Sequence, residues 1–361
     1  MGRIATVLAV ALVVACGSRN DPRPIPAPGT SSAPPPAPPP DPGRVERIAW
    51  RAGPPLPAPR DHHITFVTSS AGGGGWVWVA GGTDYKTVFR DVWRMRLTPE
   101  GQPSAPWERA GELPEPRAGL SVTQTEAMVI LTGGQDSTLT KRTEVWTAAI
   151  KSDGALGAWS IGPPLPSPRF HHASVFHEGY VFVSGGLEAR TSVAALLRSK
   201  LGEDGVLGPW EPMPPMPRPR SHHAAVVHDG GLWLVAGLDG NPAGENTPLS
   251  DVIRSAFGKD GALGPWTTAG TLPHAYGTHA AIEAGNALWL LGGVEDDARF
   301  VDVVLRAPFE GDKLGAWEMK EPLPNARSHV HQVPRFGGSV YSVGGSNRRV
   351  VTTDTWVGAL Q

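Results

Sequence analysis

Cysteine is nearly absent from this chain: one residue, Cys16, in 361. That excludes an intramolecular disulfide and any cysteine-based metal centre. Charge is sparse as well. Asp, Glu, Lys and Arg make up 18% of the residues and the formal net charge is −2, so no global field draws the chain to nucleic acid or to an anionic membrane. Tyrosine occurs four times. No strong helical period follows the N-terminus, and no apolar run reaches the roughly 20 residues of a bilayer-spanning helix. Short catalytic signatures are missing too. There is no GxSxG elbow for a nucleophilic serine, no HExxH for zinc, and no carboxylate pair isolated for acid–base work.

What is abundant is glycine (45) and proline (38), the residues of tight turns. Hydrophobic residues make up 40% of the chain, enough for a sizeable core, and they alternate or cluster in short runs as strands do.

The N-terminus reads as an address. Arg3 precedes the apolar run Ile4–Val14, 11 residues long, a length that suits a signal h-region and not a membrane span. The run ends in Val13-Val14-Ala15-Cys16, which resembles the lipobox of bacterial lipoproteins. The resemblance implies a signal peptide over 1–15 and a lipid on Cys16. Residues 17–43 hold eleven prolines, a composition that builds no core and favours an extended tether. Export to the bacterial cell envelope follows as an expectation. The outer membrane is favoured over the inner, because Gly17 stands where an acidic retention signal would be.

From residue 44 to 361 the chain repeats. Trp50, Trp107, Trp159, Trp210, Trp266 and Trp317 are spaced by 57, 52, 51, 56 and 51 residues. Each is followed by a Pro-rich turn, an Arg/His segment, a β run ending in Gly-Gly and a second β run. The Gly pairs stand at 81–82, 133–134, 185–186, 292–293 and 344–345, with Ala236-Gly237 in the fourth repeat. Asp153-Gly154, Asp204-Gly205 and Asp260-Gly261 mark hairpins between the third and fourth strands. This pattern resembles the kelch repeat, and it implies an all-β, six-bladed propeller. The segment 45–52 has no preceding strands of its own, so it is expected to serve as the outer strand beside the C-terminal strand, closing the ring. The repeated Trp is expected to pack between blades.

Naming the strands a to d outward from the axis, the d–a and b–c connections share one face and the a–b and c–d turns the other. Variable loops on a rigid scaffold carry binding, so the first face is the candidate. Aligned repeats place Arg60, Arg117, Arg169, Arg220, Tyr276 and Arg327 in one ring, followed two residues later by His62, Gly119, His171, His222, Thr278 and His329. The b–c loops add Arg90, Arg142, Arg299 and Arg348, with Lys86, Lys141, Arg190 and Arg349. Guanidinium groups take carboxylate or phosphate in bidentate fashion, so this mouth is expected to bind a protein or an acidic glycan. The second role open to a residue repeated in every blade is architectural: each Arg bonding to carbonyls or to the acid that opens strand c (Asp91, Glu144, Asp251, Asp302, Asp354).

No metal is expected, because adjacent strand residues such as His62 and His63 point to opposite sides. No cofactor and no catalytic residue are assigned. The copper radical enzymes of the kelch fold use Cys and Tyr ligands; here Cys16 is assigned to the anchor and tyrosines number four, so that chemistry is not expected. The expected function is an envelope-anchored recognition or scaffold module. The alternative is a sugar-modifying enzyme resembling the kelch-fold sialic-acid epimerases, with Arg holding the substrate carboxylate.

Overall fold

A computed structural model describes residues 43–295, 298–348 and 350–361. The expected signal segment, Cys16 and all but the last residue of the tether lie outside these residues, as does Arg349. Among the described residues no helix is long and apolar enough to cross a membrane.

The described residues form six antiparallel blades around an axis. In order a to d, blade 1 comprises Ile64–Ser69, Gly75–Ala80, Asp91–Leu97 and Glu108–Glu112. Blade 2 comprises Ser121–Gln124, Met128–Thr132, Val145–Ala149 and Ser160–Ile161. Blade 3 comprises Ala173–His177, Tyr180–Ser184, Leu196–Lys200 and Glu211–Met213. Blade 4 comprises Ala224–His228, Gly231–Val235, Asn246–Ala256 and Thr267–Gly277. Blade 5 comprises Ala280–Glu283, Ala287–Leu291, Val304–Glu310 and Glu318–Met319. Blade 6 comprises Arg335–Phe336, Ser339–Val343, Thr355–Leu360 and, from the other end of the chain, Ile48–Ala52.

Strand b of each blade is nearly continuous in apolar residues because a neighbouring blade covers each of its faces. Trp78, Trp233 and Trp289 are accordingly buried to within 2% of complete. Strand d is the outer edge, and in blade 1 all of Glu108–Glu112 is exposed. The Gly-Gly signal has a steric cause. Gly81 adopts φ +63, and a Cβ there would stand 2.3 Å from the carbonyl oxygen of Arg117 in the next blade, closer than any side chain tolerates. Two of the repeated tryptophans bridge blades by hydrogen bonds as well as by packing: Trp107 Nε1 donates to Pro54 O and Trp210 Nε1 to Pro163 O, both at 2.9 Å.

The ring closes as the repeat register requires. Ile48 pairs with Leu360 and Ala52 with Trp356 in an antiparallel ladder. The segment before it is held just as firmly. Glu46 and Arg47 donate backbone N–H groups to Gln361 O, and the buried Arg306 donates from Nε to Val45 O at 2.9 Å. Strand d runs from the face of the short a–b and c–d turns towards the face of the d–a and b–c loops. The chain therefore enters the propeller on the short-turn face.

The variable b–c connections are more ordered than their composition suggests. The segment 238–250 folds as a hairpin, Leu238 pairing with Pro248 and Gly240 with Asn246. Blades 3 and 6 carry smaller hairpins at Leu187–Glu188 with Thr191–Ser192 and at Ser346–Asn347 with Val350–Val351. Between blades 4 and 5 the chain stays extended through Thr267–Gly277, and Tyr276 pairs with both Leu249 and Glu295.

Candidate functional site

The arginine ring is present and lies inside the protein. Arg60, Arg117, Arg169, Arg220 and Arg327 are exposed by 3% or less. Each donates from NH1 to the carbonyl that ends strand b of its own blade: Gly81, Gly133, Gly185, Ala236 and Gly344, at 2.7–3.1 Å. Four also meet the acid that opens strand c: Arg60 with Asp91, Arg117 with Glu144, Arg220 with Asp251 and Arg327 with Asp354. Blade 3 has Ala194 near that place, and Arg169 turns instead to Glu188 at 3.7 Å. In blade 5 Tyr276 replaces the arginine and its hydroxyl donates to Glu295 at 3.2 Å. These guanidiniums are struts that satisfy buried carbonyls, and they do not face a ligand. Arg220→Met removes one strut and leaves Asp251 and the Ala236 carbonyl without it. We expect a loss of about 3 kcal/mol, read from urea unfolding; a variant as stable as the parent would end the strut assignment.

Two residues on, the chain turns to the axis. His62, Gly119, His171, His222, Thr278 and His329 all adopt positive φ, between 53° and 63°. The reason is a belt of backbone bonds between blades. Gly119 N donates to His62 O, His171 N to Gly119 O, His222 N to His171 O, Thr278 N to His222 O and His329 N to Thr278 O, at 2.7–3.1 Å. Left-handed backbone aims each N–H at the preceding blade, and repetition around the ring offsets the local strain. The same turn drives the side chains together. Ring centroids of His171 and His222 lie 3.7 Å apart, His62 and His329 4.2 Å, and His62 and His171 4.7 Å.

Three further residues complete this well. His331 lies 5.1 Å from His171 and 5.8 Å from His222. Phe170 stacks beside His171 and His62, in space that exists because residue 119 is glycine; a Cβ there would meet the Phe170 ring at 2.1 Å. Asp61, fully buried, receives a hydrogen bond from His62 Nδ1 at 2.6 Å and another from the Tyr85 hydroxyl at 2.5 Å. The His62 and His329 charges hold its carboxyl well below the usual range, outweighing burial. Burial pushes His171, His222 and His331 far below ordinary histidine, and neighbouring imidazoles push the same way. Beneath the well an axial cavity of about 230 Å³ is lined by strand a of blades 1 to 5 and, from blade 6, by the segment 331–334 that precedes its first strand.

No family profile matches the chain. Alpha-scruin of Limulus polyphemus is 26% identical over 254 residues, covering 67% of this chain and 26% of that one. Kelch-like protein 40 of Mus musculus is 24% identical over 233 residues, covering 64% of this chain and 35% of that one. The chain thus spans about a quarter of the length of the scruins it matches. The solved structure of YjhT superposes with a TM-score of 0.64 at 14% identity, over 84% of this chain and 95% of that one. The fold is a kelch-type propeller.

On the loop face of this kelch propeller the remaining sequence candidates separate. Arg90 donates to the carbonyls of Leu113 and Pro114. Arg142 is held by Glu144, Asp136 and Glu115, and Arg299 by Glu295. Arg348, Lys86 and Arg190 are exposed. Lys141 lies 5.5 Å from the Phe170 ring, and burial together with Arg190 lowers its pKa. The second histidine of each pair turns away from the mouth, as alternation requires. His172 meets Thr132 Oγ1 at 2.7 Å and His223 meets Ser184 Oγ at 2.8 Å, each across a blade boundary. Sequence reasoning missed Asp61, Tyr85, Phe170 and His331. The signal for two of them was available: Asp61 aligns with Ala118, Phe170, Ser221, Gly277 and Ser328, and His331 with Ile64, Ser121, Ala173, Ala224 and Ala280.

Proposed function

We propose that this propeller is a recognition module of the bacterial cell envelope, anchored through Cys16, that binds a protein partner on its loop face. Three large apolar side chains carry the reading. Tyr85, Leu139 and Val350 are exposed by 44%, 49% and 70%, and they occupy the b–c connections of blades 1, 2 and 6. Those blades are neighbours around the ring, so the three residues form an apolar crescent. Lys86, Arg190 and Arg348 add exposed cations on the same face. An aromatic and aliphatic patch with a charged rim fits a protein surface. Similarity to scruin and to a Kelch-like protein agrees with a binding role.

The arrangement favours recognition over turnover of an acidic sugar. The guanidiniums that would grip a substrate carboxylate are bonded to carbonyls and acids within their own blades. An acidic glycan would have to rely on Lys86, Lys141, Arg190 and Arg348. A photo-crosslinking residue placed at Leu139 should capture a protein from an envelope preparation, and one at Val206, on the short-turn face, should not. Tyr85→Glu with Leu139→Glu should abolish the capture. Equal labelling from both positions, or capture indifferent to the charged pair, would defeat the assignment of this face.

A further inference from the structure

We propose that the axial well is a binding site for a divalent transition-metal ion, zinc or a metal of similar preference, held by Asp61, His62 and His329. The argument begins with geometry. One ligand atom from each of the three residues lies within 4.8 Å of the other two. They come from two blades, His62 and Asp61 from blade 1 and His329 from blade 6, which meet where the ring closes. The expectation of no metal rested on His62 and His63 facing opposite sides and on the lack of any metal motif in the sequence, with histidines of different blades meeting at the axis as the one arrangement that would make a site. The pairing that matters is between blades, with His62 and His329 stacked at 4.2 Å.

The donor set is two imidazoles and one carboxylate, the set that suits zinc, iron, nickel or cobalt and leaves coordination positions open. The well has room for such openness. The side chains of His62 and His329 are 11% and 18% exposed, while Asp61 is fully covered. A metal would therefore be reached from the loop face and backed by protein. The outer shell is also in place. The Tyr85 hydroxyl donates to Asp61 Oδ2, the kind of contact that orients a ligating carboxylate. Ser328 and Ser346 hydroxyls lie 3.1 and 3.3 Å from His329 Nδ1, which fixes the plane of that ring.

Further imidazoles surround the three ligands. His171, 4% exposed, leaves Nδ1 without a hydrogen-bond partner, and His331 leaves Nε2 without one. Both rings face the His62 ring, at 4.7 and 6.4 Å between centroids. The interblade histidines His172 and His223 likewise leave Nδ1 unpartnered, but each bonds a hydroxyl of the adjoining blade, whereas His171 and His331 lie against the well. Binding displaces the proton shared between His62 Nδ1 and Asp61 Oδ1, and that proton leaves to solvent. The 2.6 Å approach of those two atoms must widen, because ligands about 2.0–2.2 Å from a tetrahedral ion stand roughly 3.3 Å apart. The two atoms part by about 0.7 Å, which rotation of the two side chains supplies.

Cobalt(II) is the probe. The full-length protein without an affinity tag, stripped with chelator and titrated, should take one equivalent and show visible d–d absorption that added zinc removes. His62→Asn with His329→Asn preserves the left-handed backbone, which asparagine adopts readily. That variant should lose more than the roughly 100-fold in affinity that an outer-shell loss alone costs. Should the double variant fail to fold, Asp61→Asn tests the same site, and a zinc-dependent rise in the wild-type melting temperature reads binding directly. Absence of a saturable cobalt spectrum in the wild type, or equal binding by a folded variant, would overturn the proposal.

Discussion

Deleting residues 44–52 should lower stability by about 5 kcal/mol or more, the largest loss expected from any short excision. The segment supplies the fourth strand of blade 6, and its five-residue ladder with Thr355–Leu360 is the one place where the two ends of the chain are bonded into a sheet. Ile48 is 1% exposed and belongs to the core shared with Trp289, Val304 and Val340. Burial of such a side chain contributes roughly 2–3 kcal/mol, and each ladder hydrogen bond about 1 kcal/mol. Arg306 loses its Val45 carbonyl and its nearby Glu46 at the same time, leaving a buried cation with less compensation. The excision also bares the edge of strand c, which invites aggregation. Thermal unfolding checks this directly. A truncated protein that melts with the parent would show that the closing strand is dispensable.

Acid should weaken the propeller well before its carboxylates titrate. His172, His223 and His279 are buried between blades and burial holds each below the ordinary value of 6.5, His172 at about 3 and His279 at about 4. For His172 and His223 the neighbouring buried arginine, Arg169 or Arg220, pushes further in the same direction. Unfolding releases these imidazoles to bind protons below pH 6.5, while the folded state does not. Stability is therefore fully present above pH 6.5 and falls as pH drops towards 4. Each group withdraws about 1.4 kcal/mol per pH unit in that window, so the three together cost about 4 kcal/mol per unit. Urea unfolding at pH 7.5, 6 and 5 should show the slope, and replacing the three by glutamine should make it shallower, the other buried histidines, His63, His171, His222, His329 and His331, supplying what remains. A wild-type profile level from pH 7 to 5 would contradict the assignment.

The architecture was legible because its signals are steric. A Gly pair next to a strand states that another backbone approaches closely, and in Gly81 that backbone belongs to the following blade. The closing register was legible for a similar reason: Trp50 arrives with no partner strands before it and the last repeat lacks a fourth. The site was less legible because residue type does not declare direction. Arg60 and Arg220 have the chemistry of an anion site, yet the acids 31 residues further on claim them. That spacing recurs and was visible, but a strut and a ligand clamp use the same guanidinium. The well was hidden for another reason. It depends on positive φ at His62 and His329, and only the glycine at 119 hinted at that conformation. Asp61 and His331 stand out solely as titratable residues where every matching place holds a non-titratable one, and their meeting required the ring to be closed first.

The closing strand Ile48–Ala52 begins on the short-turn side of the wheel, while the imidazole-lined hollow opens on the opposite side. A visitor as large as another protein can therefore approach the hollow without crossing the seam where first and last strands meet.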